Sequence, residues 1–143
     1  MFDHKKNRLL LRTRLRTMSG YLGDSLVAWE NQDFITPEPN KTTPAPWMRE
    51  TYFKVDETLA ATQQIKVEGF YRVDVFYPKG AGTEAPEDLA KAVREVFSPG
   101  QSLQNADIQI ELFRTEPLPM IETADSPWVQ FPVIIHWRGF ATN

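Results

Sequence analysis

The residues of this chain that could perform acid–base or metal chemistry are few and far apart. Its two histidines, His4 and His136, stand near opposite ends of the sequence, and neither has an acidic neighbour at the spacing of a metal site or a catalytic triad. The chain has no cysteine, which excludes disulfide scaffolds, thiolate metal sites and cysteine nucleophiles. We therefore expect His136 to be a surface histidine, and we predict no metal or cofactor.

Asp74 is the acid that most resembles a catalytic base, because it lies inside an apolar strand pattern and buried acids can acquire that role. Arg72 lies two residues earlier, on the same face of the predicted strand. A structural ion pair is therefore the preferred interpretation. A small-ligand enzyme that uses Asp74 and the glycine turn after it is the alternative from another functional class.

The glycine turn, Lys79-Gly80-Ala81-Gly82-Thr83, superficially resembles a phosphate-binding loop ahead of a helix. It lacks the spacing of a Walker loop and the third glycine of a dinucleotide-binding motif. A strand-to-helix reversal explains it without a ligand. Pro78 ends the strand, the two glycines permit a tight turn, and Thr83 can cap the next helix.

These residues must be positioned by one central strand and the helix that follows it. The strand pattern places Phe70 and Phe76 on one face and a row of apolar residues on the other, which predicts a central strand covered on both sides. Residues 86–97 form the predicted helix. The row opposite Phe70 and Phe76 is Gly69, Tyr71, Val73, Val75 and Tyr77. The apolar face of the helix is formed by Leu89, Ala92, Val93, Val96 and Phe97.

A second predicted helix, residues 4–22, precedes this unit and carries six of the sixteen Lys/Arg residues. Residues 1–19 hold six Lys/Arg and one Asp, or +5, and the remaining residues hold ten against eighteen, or −8, which gives the net −3. Its apolar stripe predicts packing on the core, with a basic flank beside it; a membrane-surface helix or a transit peptide is the alternative. The stripe is Leu11, Leu15, Met18 and Leu22, and the flank is Arg8, Arg12 and Arg16.

Further strands are predicted at residues 26–31, 47–55, 108–114 and 128–137. In 47–55, Trp47 and Phe53 share one face, while Glu50 and Lys54 lie on the other. The last strand alternates most clearly, with Val129, Phe131, Val133, Ile135 and Trp137 on one face, and Pro132 argues that it lies at a sheet edge or carries a bulge.

Two connections are unusually long. Four prolines make residues 33–46 an extended loop, and a role as a proline-rich ligand is the alternative. Residues 56–64 are polar, lack proline and glycine, and form the predicted tip of a hairpin between strands 47–55 and 66–77. The whole chain, 1–143, is predicted to be one α+β domain, a mainly antiparallel sheet of four to five strands packed with two helices.

The pattern as a whole resembles the tail terminator proteins of long-tailed bacteriophages, the lambda-type family of small tail-completion proteins. The likeness covers nearly the whole chain, although each motif is short and structural. Only the proline-rich segment 36–46 departs from it, since a shorter connection is expected there. The motifs are Leu10-Leu11-Arg12-Thr13-Arg14-Leu15, Ala28-Trp29-Glu30-Asn31, the run from Gly69 to Gly82, Phe97-Ser98-Pro99-Gly100, and the strand from Phe131 to Arg138.

The resemblance implies a structural protein of the virion, assembled in the host cytoplasm, and no enzyme, cofactor or membrane. Such proteins form a ring, usually of six subunits, at the head-proximal end of the tail tube. The ring stops tube polymerisation and meets the connector of the head, and DNA passes through it without sequence-specific binding. A head-completion, neck or tail-tube protein is the alternative within the virion.

The interface residues of this hypothesis come from three features. A basic arm on an acidic body suits subunit docking, an edge strand can extend a sheet to a neighbour, and a long hairpin tip can reach the next ring as an assembly arm. The residues predicted on these grounds are Arg8, Arg12, Arg16, Glu57, Thr58, Leu59, Thr62, Gln63, Gln64, Pro132 and His136.

Overall fold

The fold is one large curled sheet with two helices on one of its faces. The computed structural model describes residues 2–61 and 64–142. The helices are α1, His4–Leu15, and α2, Glu84–Val96. The strands are β1 (Val27–Ala28), β2 (Trp47–Ala61), β3 (Gln64–Pro78), β4 (Ser102–Gln104), β5 (Gln109–Pro117), β6 (Ile121–Glu122) and β7 (Trp128–Thr142), and a 3₁₀ turn, Asp24–Leu26, precedes β1.

The strand order is β1-β2-β3-β7-β5-β4, and β6 pairs with β7. The predicted α+β class is confirmed, but the prediction of four to five strands was too low. The sheet is also mixed, because β1 runs parallel to β2 while the other pairs are antiparallel. The missed strands β4 and β6 have three and two residues, too few for an alternation pattern to show.

The core lies between the helices and one face of the sheet, which we call the core face. The predicted apolar rows of β3 and β7 form its centre, and Val73, Val75, Val133 and Ile135 are completely buried. Residues Val93 and Phe97 of the α2 region pack on them. Thr83 occupies the predicted N-cap position of α2, but its side chain makes no capping hydrogen bond.

Helix α1 is shorter than the predicted 4–22. It ends at Leu15 because the next amides bond three residues back, Thr17 N–H to Arg14 O at 3.0 Å and Met18 N–H to Leu15 O at 3.1 Å. Gly20 then takes a left-handed conformation, with φ of 73°. The predicted apolar stripe still faces the core, since Leu11, Leu15 and Met18 are buried.

Leu15→Ala is expected to reduce the free energy of unfolding by about 2–5 kcal/mol, because it removes a fully buried side chain from the core. Leu9→Ala on the same helix is the matched control, since Leu9 is 57% exposed and its loss should fall within about 0.5 kcal/mol. Chemical denaturation of both variants measures the two values. If Leu15→Ala and Leu9→Ala lose the same free energy of unfolding, α1 does not pack in the core.

Two sequence predictions about strands were wrong. Strand β7 is internal, between β3 and β5, and the nearby bulge lies in β5 between Leu112 and Arg114, although Pro132 had argued for an edge or a bulge in its own strand. The carbonyl oxygen of Pro132 accepts a hydrogen bond from Leu118 N–H at 3.0 Å, just beyond the end of β5. Because the N–H and C=O of one residue point to the same side of an antiparallel strand, the N–H that Pro132 lacks would also face this side. There β5 pairing ends at Val133 and β6 pairing begins at Gln130, so the proline lies in a gap between two partners.

The hairpin ladder is longer than predicted. β2 and β3 pair from Trp47–Phe76 out to Ala61–Gln64, with bulges between Lys54 and Asp56 and between Leu59 and Ala61. Most of the predicted tip, 56–64, is therefore strand, although its polar composition had suggested an extended tip, and the two bulges keep it paired with β3. The loop 33–46 is irregular, as predicted.

Candidate functional site

The two histidines have partners that their sequence positions do not reveal. The Nδ1 atom of His4 lies 2.6 Å from the Tyr52 hydroxyl, and His136 Nε2 lies 3.4 Å from a Glu116 oxygen. Within residues 2–61 and 64–142, no group of three or more His, Asp or Glu side chains is placed to hold a metal ion. His136 lies on the face of its strand that was predicted to meet solvent, where it is partly buried between the rings of Phe70 and Phe113.

Asp74 is completely buried, and it forms the predicted ion pair with Arg72, whose Nε donates at 2.9 Å. Arg49 and Gln130 also donate to the carboxylate, at 3.3 and 2.8 Å. Three donors from three strands thus hold one acid on the face opposite the helices. This arrangement ties β2, β3 and β7 together.

The glycine turn 79–83 presents acids where a phosphate would need cations. The depression beside it is lined by Glu84 and Asp88 of α2. Lys79 is engaged with the carbonyl oxygen of Thr123 at 2.7 Å. Gly80 and Gly82 both have positive φ, which supports the interpretation as a strand-to-helix reversal.

The three arginines of the predicted basic flank make ion pairs within their own chain. Arg8 binds Glu30 at 3.1 Å, Arg16 binds Asp24 at 3.1 Å, and Arg12 binds Glu50. Their charge is therefore largely neutralised inside the subunit. The basic arm and the acidic body do attract each other, but they do so within one molecule.

Glu50 is a residue whose role the sequence prediction missed. It lies on the core face, 2% exposed, where the alternation had suggested a polar outer face. Arg12 donates to it through Nε at 2.6 Å and through Nη2, the Tyr71 hydroxyl donates at 2.5 Å, and the Glu30 amide donates at 3.2 Å. Burial, and then the charge of Glu50, raise the pKa of Tyr71 well above that of a free tyrosine.

Tyr52 joins the start of α1 to the same face of the sheet. Asn7 donates to the Tyr52 hydroxyl at 3.0 Å, and the hydroxyl can donate to His4. Burial raises the pKa of Tyr52 from 10.0 to about 12. The neutral phenol is therefore the form that the fold favours.

Because the pKa of Tyr52 is higher in the folded than in the unfolded chain, its contribution to stability is complete below about pH 10 and is lost as the pH rises towards 12. The difference in phenolate absorbance between the wild type and Tyr52→Phe should therefore titrate near pH 12. If this absorbance difference titrates near pH 10 instead, the Tyr52 phenol is accessible to solvent and does not make the contacts with Asn7 and His4.

The predicted arm residues are distributed along the outer end of the hairpin. Glu57 faces Lys54 and His4, at 3.9 and 3.8 Å. Thr58 pairs with Lys66 in the ladder, and Gln64 pairs with Thr142. Of the remaining predicted residues, Leu59 is described only through its backbone pairing, while Thr62 and Gln63 lie outside the described residues.

The face of the sheet opposite the helices, which we call the open face, carries a row of aromatic rings. Phe53, Phe70, His136 and Phe113 come from β2, β3, β7 and β5, with successive ring centroids 4.6, 6.2 and 5.8 Å apart. We call this row the aromatic stripe. Phe53 and Phe113 at its ends are 43% and 39% exposed, which is unusual for large rings in a subunit that works alone.

Charges beside the stripe are paired within the open face itself. Arg138 donates to Glu111 at 3.0 Å and Arg114 donates to Glu116 at 3.1 Å. An apolar strip with a polar, charge-paired border has the anatomy of a protein–protein interface. The sequence prediction selected His136 from this surface but not the three phenylalanines, and it had placed Phe70 on a covered face.

The sequence model of a family described as phage tail terminator protein matches residues 8–137. No curated protein matches the chain. One solved structure superposes with a TM-score of 0.72 at 16% sequence identity, and the alignment covers 97% of this chain and 96% of the other. At that identity the likeness shows a shared fold.

Within the described residues, no helix is long and apolar enough to cross a membrane.

Proposed function

Because the chain belongs to the phage tail terminator family, we propose that it forms a ring of six subunits at the head-proximal end of the tail tube. Membership makes it a structural component of the phage tail. In our proposal the ring stops polymerisation of the tube protein and then binds the connector of the head. Assembly takes place in the host cytoplasm, without cofactor or membrane.

One observation carries the proposal of a ring: the sheet is covered by helices on one face and keeps an exposed aromatic stripe on the other. Burying the exposed parts of the Phe53 and Phe113 rings against a neighbour would stabilise the assembly by about 25 cal/mol for each Å² of apolar surface removed from water. A surface that is not self-complementary and repeats around a rotation axis gives a closed ring.

The charge of the chain suits passage of DNA without tight binding. Outside residues 1–19 the net charge is −8, and affinity for the phosphate backbone depends on neutralisation by Lys and Arg. On the described part of the open face, Arg49 and Arg72 share Asp74, and Arg114 and Arg138 are each paired with a glutamate. DNA in such a channel would meet little free positive charge.

The direct test is electron microscopy of the purified protein mixed with tail tubes of the phage that encodes it. We expect rings at one end of each tube, and tubes grown from tube protein should stop lengthening when the protein is added. Longer tubes that contain the protein along their length would indicate a tail-tube protein instead. Binding to the head connector without binding to tubes would indicate a neck protein.

The hairpin end supplies a second prediction about assembly. Replacing residues 59–65 by an Asn-Gly turn removes the last rungs of the β2–β3 ladder. It leaves the pairs from Trp47–Phe76 to Thr58–Lys66 in register, because the two-residue turn then joins the paired residues Thr58 and Lys66. We expect the variant to fold and to lose tube capping, because the hairpin end is proposed to contact the tube. Normal capping by a folded variant would exclude a role for this arm.

A further inference from the structure

The open face is closed at one end by the chain's own loop. Trp47 stacks on Phe76 with ring centroids 4.0 Å apart, and Trp128 meets Trp47 edge-on at 5.9 Å. Phe34, from the loop 33–46, packs on Trp47 at 5.2 Å. These three sheet residues are less than 10% exposed, so one half of the open face has a cover and the half with the aromatic stripe has none.

The same loop presents an apolar residue with nothing around it. Ile35 follows Phe34 directly and is 92% exposed. The next residues, Thr36-Pro37-Glu38-Pro39, include two prolines. Segments of this kind are already extended, so they lose little entropy on binding, and aromatic surfaces are their usual docking sites.

The loop cannot place Ile35 on the stripe of its own subunit. Phe34 is anchored at Trp47, and Phe53 is six residues further along β2, about 20 Å at the rise of an extended strand. Ile35 is adjacent to the anchor and therefore stays near the Trp47 end. Another subunit, placed beside the first along the strand direction, would bring its stripe to the loop.

The chemistry of the two surfaces matches. The stripe is apolar and its border is charge-paired, so it favours a partner with few charges. Residues 35–39 carry a single charge, Glu38. Arg114 beside the stripe keeps 60% of its side chain exposed while bound to Glu116, so it can also meet the carboxylate of Glu38.

We infer that residues 35–39 of one subunit dock on the aromatic stripe of the next copy in the ring. The inference rests on the proposed ring and assigns the surfaces that join its subunits. The contact is heterologous, since loop and stripe are different surfaces, and each subunit offers one of each. It gives the proline-rich loop a function as the connecting segment between neighbours.

The absence of cysteine from the natural chain makes disulfide trapping a clean test. One protein carries Ile35→Cys and the other carries Phe113→Cys, and the two are mixed and oxidised. We expect a strong band of twice the 16.5 kDa subunit mass, formed wherever a subunit with Ile35→Cys lies beside one with Phe113→Cys. Phe53→Cys is a second stripe position in case Phe113→Cys folds poorly. Trapping within one chain is excluded, because each variant carries a single cysteine.

Lys91→Cys is the matched control, because it places an exposed thiol on the outer side of α2, in the helical layer. Ile35→Cys mixed with Lys91→Cys should form dimers only at the rate of random collision. The inference is overturned if Ile35→Cys forms disulfide-linked dimers no faster with Phe113→Cys and with Phe53→Cys than it does with Lys91→Cys. If the wild type still forms rings by native mass spectrometry in that case, the proposed function stands and only the assigned contact fails.

The double variant Ile35→Cys/Phe113→Cys then reports the closure of the ring. Oxidation should give a ladder of covalent species that ends at the ring size, which we expect to be six. A ladder that continues without an end would keep the docking contact and contradict a closed ring. The two proposals therefore fail with different results.

Discussion

Replacing Glu50 by alanine is expected to lower the free energy of unfolding by about 3–5 kcal/mol, as removal of one partner from a buried ion pair does. The Glu50 carboxylate is 2% exposed and receives bonds from Arg12, Tyr71 and the Glu30 amide. All three donors would lose their acceptor at once, and the Tyr71 hydroxyl is buried where water does not replace it. Denaturant titration of the purified variant measures the loss.

Glu111→Ala is the control, because it removes a comparable ion pair from the surface. Glu111 and Arg138 have side chains that are 51% and 39% exposed, so their pair should contribute no more than about 1 kcal/mol. A loss for Glu50→Ala as small as that for Glu111→Ala would mean that the buried cluster is not needed for stability.

A triple variant separates the cost of the orphaned donors from the value of the cluster itself. Arg12→Met, Glu50→Leu and Tyr71→Phe together replace the polar groups by apolar ones of similar size. Well-packed apolar replacements of buried ion pairs are often neutral or stabilising. We therefore expect the triple variant to recover most of the stability that Glu50→Ala loses.

The sequence predicted the core face well where one strand face is uniformly apolar. The residues Val129, Phe131, Val133, Ile135 and Trp137 of β7 alternate without a break, and all five are buried. The same is true of Tyr71, Val73, Val75 and Tyr77 in β3. Period-two alternation with large side chains leaves one orientation for each strand, because a slip of one residue would expose the whole row.

The sequence failed where both faces of a strand carry large side chains. In β2, Trp47 and Phe53 lie on the open face, while Met48, Glu50 and Tyr52 lie on the core face. The aromatic residues had suggested that theirs was the inner side, which placed Glu50 outside. A matching cation on the predicted helix, Arg12, is the signal that could have corrected this, because buried charges need a partner.

The same ambiguity explains the prediction that β3 is covered on both sides. Helices cover one face, the loop 33–46 covers the Phe76 end of the other, and Phe70 lies in the aromatic stripe. A surface that binds another subunit has the apolar pattern of a core, because it too leaves water during assembly. A single sequence cannot separate these two kinds of burial, whereas a structure of one subunit does.

Gly69→Ala is expected to cost at least about 3 kcal/mol, the upper end of what extra volume in a packed core usually costs. A Cβ atom at this position would lie 2.0 Å from the carbonyl oxygen of Phe53 and 2.5 Å from the indole of Trp137. Gly69 pairs with Lys54 beside the bulge in β2, so the backbone of the neighbouring strand comes unusually close. Relief would require movement of two strands and of the largest fully buried side chain, Trp137.

Gly139→Ala is the matched control for this effect, since it adds the same methyl group to the same sheet. Its Cβ atom would meet Phe2 at 2.6 Å and Ile110 at 3.1 Å, and both contacts are with side chains. Side chains can shift without displacing a neighbouring strand, so the loss should be clearly smaller than for Gly69→Ala. Equal losses would show that the close approach of the Phe53 carbonyl to Gly69 does not constrain the fold, and that side-chain crowding alone decides both values.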